Sequence, residues 1–203
     1  NLIGKIQIKN ILMAIIAAEK SGIKMSKIIS TISKIKSVNG RFEKIGKLKN
    51  NSKVILDYAH TPDALETLLI NIKEQFPLSK ISLLFGCGGE RDQQKRPMMG
   101  AIAYKYCENI YLTDDNPRSE NPKLIRNQIK KGFKYKKYFE IASRSKAIFH
   151  AIKNLNSGDI LIVAGKGHEN YQDYKKRKFF SDKLEIINAI KQKNKVLSKS
   201  LKT

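Results

Sequence analysis

A doubly wound α/β domain is the fold this sequence predicts, and three observations predict it. Four short runs, at residues 54–56, 81–85, 110–112 and 160–164, are apolar at nearly every position, which suits strands buried on both faces of a mostly parallel sheet. Each run is bounded by Gly, Asp or Asn, the residues that end strands. Helical stretches with recognisable start signals lie between the runs, and alternation of this kind over some 150 residues is the grammar of parallel α/β sheets.

The elements follow in order. Ile11, Leu12, Ile15 and Ile16 recur at helical spacing, as do Met25, Ile28, Ile29, Ile32 and Ile35, so residues up to about 40 read as two helices with buried stripes. Ser21-Gly22 separates them and Asn39-Gly40 closes the second. Two helices of this length cannot enclose a core, so residues 1 to about 40 read as the tail of one domain, and the grammar changes to that of a second from about residue 53. Within the second, Thr61-Pro62 and Asn121-Pro122 each set a capping side chain before a proline at the first helical position. Ser145 precedes a stripe of Ala147, Ile148, Ala151, Ile152 and Leu155, and Asp182 with Glu185 resembles a capping box at the start of a last helix.

Composition narrows the class. Of 203 residues 41% are hydrophobic, which excludes a disordered chain, and no apolar run approaches the roughly 20 residues of a membrane span. No secretory leader pattern is present, and two cysteines are too few for a disulfide framework, so a cytoplasmic protein is expected. The formal net charge of +22 raises a nucleic-acid-binding module as a rival. The basic residues are 33 lysines against seven arginines, spread along the chain, whereas base and phosphate readers favour the arginine fork. Only Lys175-Lys176-Arg177-Lys178, with Lys191, Lys193 and Lys195, forms a dense basic stretch, read as a solvated helix face.

In sheets of this type ligands lie beyond the carboxyl ends of the strands, so the loops after the apolar runs are where chemistry is sought. Asp57-Tyr58-Ala59-His60 precedes a helix start, and it reads equally as a capped junction or as polar groups aimed at a ligand. Gly86-Cys87-Gly88-Gly89-Glu90-Arg91 is glycine-rich but matches neither a dinucleotide fingerprint nor a phosphate-binding loop. Cys87 has no partner at metal-ligand spacing, and no metal site is expected. Asp114-Asp115-Asn116-Pro117-Arg118 is turn chemistry plus an arginine that needs an anionic partner if buried. In Gly165-Lys166-Gly167-His168-Glu169, glycines free the backbone while three ionisable side chains converge. Four such loops carrying Arg91, Arg118, Lys166, His168 and Glu169 suit a zwitterionic or dicarboxylic ligand.

Read in order, DYAHTPDALE, FGCGGERDQQKRPMMG, TDDNPRSENP and AGKGHENYQ resemble the Mur ligases, and the resemblance reaches upstream through Gly40-Arg41-Phe42-Glu43 and residues 4–10. The resemblance implies a Rossmann-like C-terminal α/β domain that brings in an amino acid, residues 46–203, preceded by a helical remnant of the central ATPase domain, residues 1–45. It implies an ATP- and Mg²⁺-dependent amide ligation in peptidoglycan precursor synthesis, in which ATP activates a carboxylate as an acyl phosphate and an amine attacks it. The family's UDP-binding domain and phosphate loop are not in this sequence, so activity is expected to require N-terminal ligase domains in the same or another chain. In the family an Asp-Asn-Pro-Arg motif accompanies meso-diaminopimelate as the incoming amino acid and UDP-N-acetylmuramoyl-L-alanyl-D-glutamate as its acceptor. Asp115, Asn116, Pro117 and Arg118 match that motif, and Arg91, Gly165 and Glu169 match other positions lining the amino-acid pocket. Asn10, Arg41, Asp57, Tyr58 and His60 match positions near the nucleotide. Gln7 stands where an asparagine is usual, and Glu90 where an aspartate is usual. A non-catalytic remnant remains an alternative, as does the nucleic-acid module, although the latter accounts for none of the four loops.

Overall fold

The computed structural model describes residues 5–134 and 138–200; residue 4, at the edge of the N-terminal resemblance, lies outside them. Two helices, α1 (Lys5–Lys20) and α2 (Met25–Ile32), precede a six-stranded sheet. Its strands are β1 (Glu43–Lys44), β2 (Lys53–Asp57), β3 (Ile81–Phe85), β4 (Asn109–Leu112), β5 (Tyr138–Glu140) and β6 (Ile160–Ala164), in the order β1-β2-β6-β3-β4-β5. All neighbours are parallel except β1, which runs antiparallel to β2 in the register Glu43 to Leu56. The edge strand thus lies on the N-terminal side of the 45/46 division expected from the sequence.

The strand order reverses between β5 and β6, and the helices change face with it. Helices α3 (Pro62–Gln75), α4 (Lys95–Tyr106) and α5 (Pro122–Lys130) carry the chain one way across the sheet and share one core layer with Ile55, Leu83, Phe85 and Ile162. Helix α6 (Arg144–Lys153) returns it past β4 and β3, and packs with α7 (Asp182–Ser200) on Val54, Leu56, Leu84, Leu161 and Val163 on the opposite face. Right-handed crossovers require that switch of side when the direction reverses. Alternate residues of one strand therefore feed two cores, and each fully buried Ile or Leu contributes roughly 1.5–3 kcal/mol.

The caps show why the helices start where they do. Thr61 Oγ1 accepts from the Ala64 amide and Asn121 Oδ1 from the Lys123 amide, each ahead of a proline. Helix α6 is capped by Ser143, not Ser145; the Ser145 hydroxyl instead donates to Glu185. Asp182 does not cap α7 either, because its carboxylate is taken by Arg144, and the Ser181 hydroxyl accepts the Leu184 amide.

Two further expectations are corrected. Residues 171–179 form a hairpin, β7 (Tyr171–Tyr174) and β8 (Lys176–Phe179), so the basic run Lys176-Arg177-Lys178 is a strand and not a helix face. Lys193 is half-buried, and its ammonium donates to the carbonyls of Ile152 and Lys153 at the end of α6. The stripe expected to be buried on α1 is only partly covered: Ile11 and Ile15 are half-buried, whereas Leu12 is 53% and Ile16 50% exposed. Among the described residues no helix is long and apolar enough to cross a membrane.

Candidate active site

The carboxyl ends of β2, β3, β4 and β6 open into one cavity of about 640 Å³. Arg91, Asp115, Asn116, Arg118, Gly165 and Glu169 line it, together with Tyr58 and His60 from the first loop. Of the residues expected to meet the amino acid, Pro117 alone lies off the lining: it is buried behind it, against Gly89. That contact explains the glycine, since a Cβ at residue 89 would sit 1.9 Å from the Pro117 carbonyl oxygen. The glycine loop and the acidic loop are thus packed backbone to backbone.

Arg118 is held in the left-handed region at φ 55°, its amide donating to the Asp173 carbonyl of β7 at 2.9 Å. Its Nη1 donates to the Gly89 carbonyl at 2.6 Å, whereas Nε and Nη2 have no partner among the described residues. One edge of the guanidinium is therefore anchored and the other is available for a carboxylate. Arg91 is exposed on the same rim, with Nη1 on the Glu90 carbonyl at 3.1 Å.

Two acids share this lining with the arginines. Asp115 is buried, with one oxygen 3.9 Å from Arg144 Nη1, and burial raises its carboxyl above the usual value against the pull of Arg144 and Lys166. Gly165 lies over it at φ 110°, a conformation that side chains rarely adopt, and a Cβ there would come within 2.8 Å of Asp115 Oδ2. Glu169 receives Asn116 Nδ2 at 2.9 Å and Lys166 Nζ at 3.0 Å, both on Oε2.

Beneath these groups lie buried ions that periodicity did not disclose. Arg96 is fully buried in α4 and reaches Glu120 and the Gly88 carbonyl, joining the two loops. Arg144 is fully buried too, pairing through Nε and Nη2 with Asp182 at 2.7 Å and reaching the Ala164 carbonyl at 2.9 Å. Burial alone would lower its pKa, but the Asp182 carboxylate and its hydrogen bonds hold it raised. Arg126 bridges Asp114 and Glu140 from α5. A charge inside a helical stripe reads as a surface residue, and the partner acids are spread over loops (Asp114, Glu120), β5 (Glu140) and the start of α7 (Asp182).

The residues expected near a nucleotide are divided. Asn10, Arg41 and Asp57 line a separate cavity of about 480 Å³ between α1 and α3, whereas Tyr58 and His60 face the first. Asp57 accepts the Phe42 and Ala59 amides at 2.8 Å each, so its buried carboxylate, raised by desolvation, shapes the loop of Arg41. The Arg41 guanidinium lies 4.5 Å from the centre of the Tyr58 ring and so joins the two cavities.

Residues 40–167 match the family model described as Mur ligase, glutamate ligase domain. The chain belongs to the Mur ligase family. The diaminopimelate-adding Mur ligase of Rickettsia typhi, named UDP-N-acetylmuramoyl-L-alanyl-D-glutamate–2,6-diaminopimelate ligase, is 46% identical over 92% of this chain and 37% of its own length. The ligase of the same name from Bacillus cereus is 46% identical over 84% of this chain and 34% of its own. A solved structure with that name superposes with a TM-score of 0.74 at 36% identity, covering 94% of this chain and 39% of that one. The chain thus spans little more than a third of the Mur ligases it resembles. The four loops that carried the resemblance are the four that meet at the first cavity. Among the described residues no three acidic, histidine or cysteine side chains of this Mur ligase domain converge as a metal-ligand set.

Proposed function

We propose that this chain supplies the amino-acid-binding part of a cytoplasmic ligase that joins meso-diaminopimelate to UDP-N-acetylmuramoyl-L-alanyl-D-glutamate in peptidoglycan precursor synthesis. The observation that carries the reading is the mixed charge of the first cavity: the guanidinium groups of Arg118 and Arg91 line it together with the carboxylates of Asp115 and Glu169. A ligand with a carboxylate and an ammonium at each end fits that arrangement. Arg118 would take the distal carboxylate through its free edge, Glu169 the distal ammonium, and Arg91 the carboxylate near the reacting amine. Asn116 and Pro117 shape the loop that presents Arg118, and Gly165 leaves room over Asp115.

Residues 1–45 are read as the end of the ATPase domain and residues 46–203 as the amino-acid domain. The open faces of α1 support a partner there, the remaining ligase domains, in the same or another polypeptide. Asn10 and Arg41 suit one side of a nucleotide, an amide for a base and a single cation for a phosphate. ATP, when bound, supplies the phosphoryl group that activates the acceptor carboxylate. The described residues offer no ligand set for Mg²⁺, and no step is assigned to it. What this chain contributes is orientation: it holds the amine of the incoming amino acid toward the nucleotide side, where Arg41 and Tyr58 meet.

Calorimetric titration of the chain with meso-diaminopimelate and with L-lysine tests the reading. Arg118→Lys keeps the charge but loses the fork, so meso-diaminopimelate affinity should fall about ten-fold or more while L-lysine is unaffected. Wild-type binding with no preference between the two ligands would refute the assignment.

A further inference from the structure

The ammonium of Lys166 has no exposed surface, although it lies beside the most acidic part of the cavity. It donates to Asn116 Oδ1 at 2.9 Å and to Glu169 Oε2 at 3.0 Å, and stands 5.2 Å from the centre of the Tyr171 ring. Asn116 Oδ1 also accepts the Asp173 amide of β7 at 3.0 Å. Two donors on one atom settle which end of the carboxamide is oxygen, so the NH₂ group must face Glu169, which it meets at 2.9 Å. Glu169 Oε2 is then filled by two donors, while Oε1 has no partner among the described residues and Glu169 still lines the cavity.

We propose that Lys166 is a specificity-determining positioning residue, whose buried ammonium locks Asn116 and Glu169 so that Oε1 alone is presented to a ligand ammonium. The inference rests on the amphoteric-ligand reading above and adds the group that fixes its ammonium end. Without Lys166 the Asn116 carboxamide is still oriented by the Asp173 amide, but Glu169 loses its charged donor, can rotate, and no longer aims Oε1. Lys166 itself never meets the ligand. Its loss therefore bears on ligands that carry the distal amine and not on those that lack it.

The test uses two probes on the full chain: meso-diaminopimelate, and L-2-aminopimelate, which has the same length and both carboxylates but no distal amine. Lys166→Met should weaken meso-diaminopimelate binding about ten-fold or more, in line with loss of an oriented charged hydrogen bond, and leave L-2-aminopimelate unchanged. Glu169→Gln should do the same, and adding Lys166→Met to it should change nothing further, since the two act as one unit. If Lys166→Met does not fold, Lys166→Gln, which can keep a hydrogen bond but not the charge, must give the selective loss in its place. Equal weakening of both probes would show a merely structural role, and an unchanged preference would show no role; either overturns the proposal alone. A wild-type chain that does not distinguish the two probes would overturn the ligand reading, and this inference with it.

Discussion

Arg144 offers the most direct test of how the site is supported. Its guanidinium and the Asp182 carboxylate are both without exposed surface and make two bonds of 2.7 Å, tying the start of α6 to the start of α7. The same guanidinium reaches the last residue of β6 and faces Asp115. Arg144→Met keeps the length of the side chain but leaves Asp182 buried with no counter-charge. Breaking one side of a buried pair costs about 3–5 kcal/mol. At about 2–4 °C per kcal/mol for a chain of this size, the melting temperature should fall by roughly 6–20 °C. The double variant Arg144→Met/Asp182→Leu removes both charges and should recover most of that loss. Urea denaturation with comparison of midpoints and slopes measures both. A single variant that costs under about 1 kcal/mol, or a double variant no better than the single, would refute the view of Arg144 as a buried strut.

Three further outcomes are expected. The pKa of Asp115 is raised above 3.8 by burial, so ionising it costs the folded state stability as pH climbs from 3.8 through the raised value. Asp115→Asn should gain on the wild type over that window and not below it, and denaturation midpoints across an acid-to-neutral series would show this; a flat or falling difference would contradict it. Gly89→Ala drives a methyl into the Pro117 carbonyl, and the resulting loop shift should cost about 1–3 kcal/mol in thermal unfolding and abolish binding that depends on Arg118. Cys87 lies in contact with Met99 and burial pushes its thiol up to about 12, while Cys107 is buried as well, so neither should react with a thiol reagent at pH 8 until urea exposes both.

The strands that read correctly were those that feed both cores, because burial on two faces leaves an apolar residue at every position from Val54 to Leu56 and from Ile160 to Ala164. β5 escaped notice because it is an edge strand, half-buried, and ends in Glu140, whose charge belongs to an ion pair with Arg126 and Lys130. The β7–β8 hairpin was hidden by Lys176, Arg177 and Lys178, all exposed on a strand whose order comes from the partner β7. In the site, Asp115, Arg118 and Glu169 were legible as polar residues at strand ends. Arg96 and Arg144 were not, since their partners Glu120 and Asp182 lie 24 and 38 residues away and only the fold brings them together.

The division between legible and hidden residues follows a division of labour. Groups that face the cavity, such as Arg118 and Glu169, each keep one edge without a partner and are anchored by the other. Groups beneath them, Arg96, Arg144 and Lys166, have no exposed surface and spend their bonds on the loops. Buried cations are costly to hold and gain little stability over an apolar core, so their presence calls for a reason other than stability. The reason here is geometric: carbonyls at Gly88 and Ala164 and the side chain of Asn116 are each held by a buried cation, which ties together three of the four loops, those after β3, β4 and β6. Replacing an outer residue should therefore change affinity at constant stability. Replacing Arg96 or Arg144 should change stability first and affinity as a consequence, and a variant series that failed to separate in this way would mean that the two layers are not distinct.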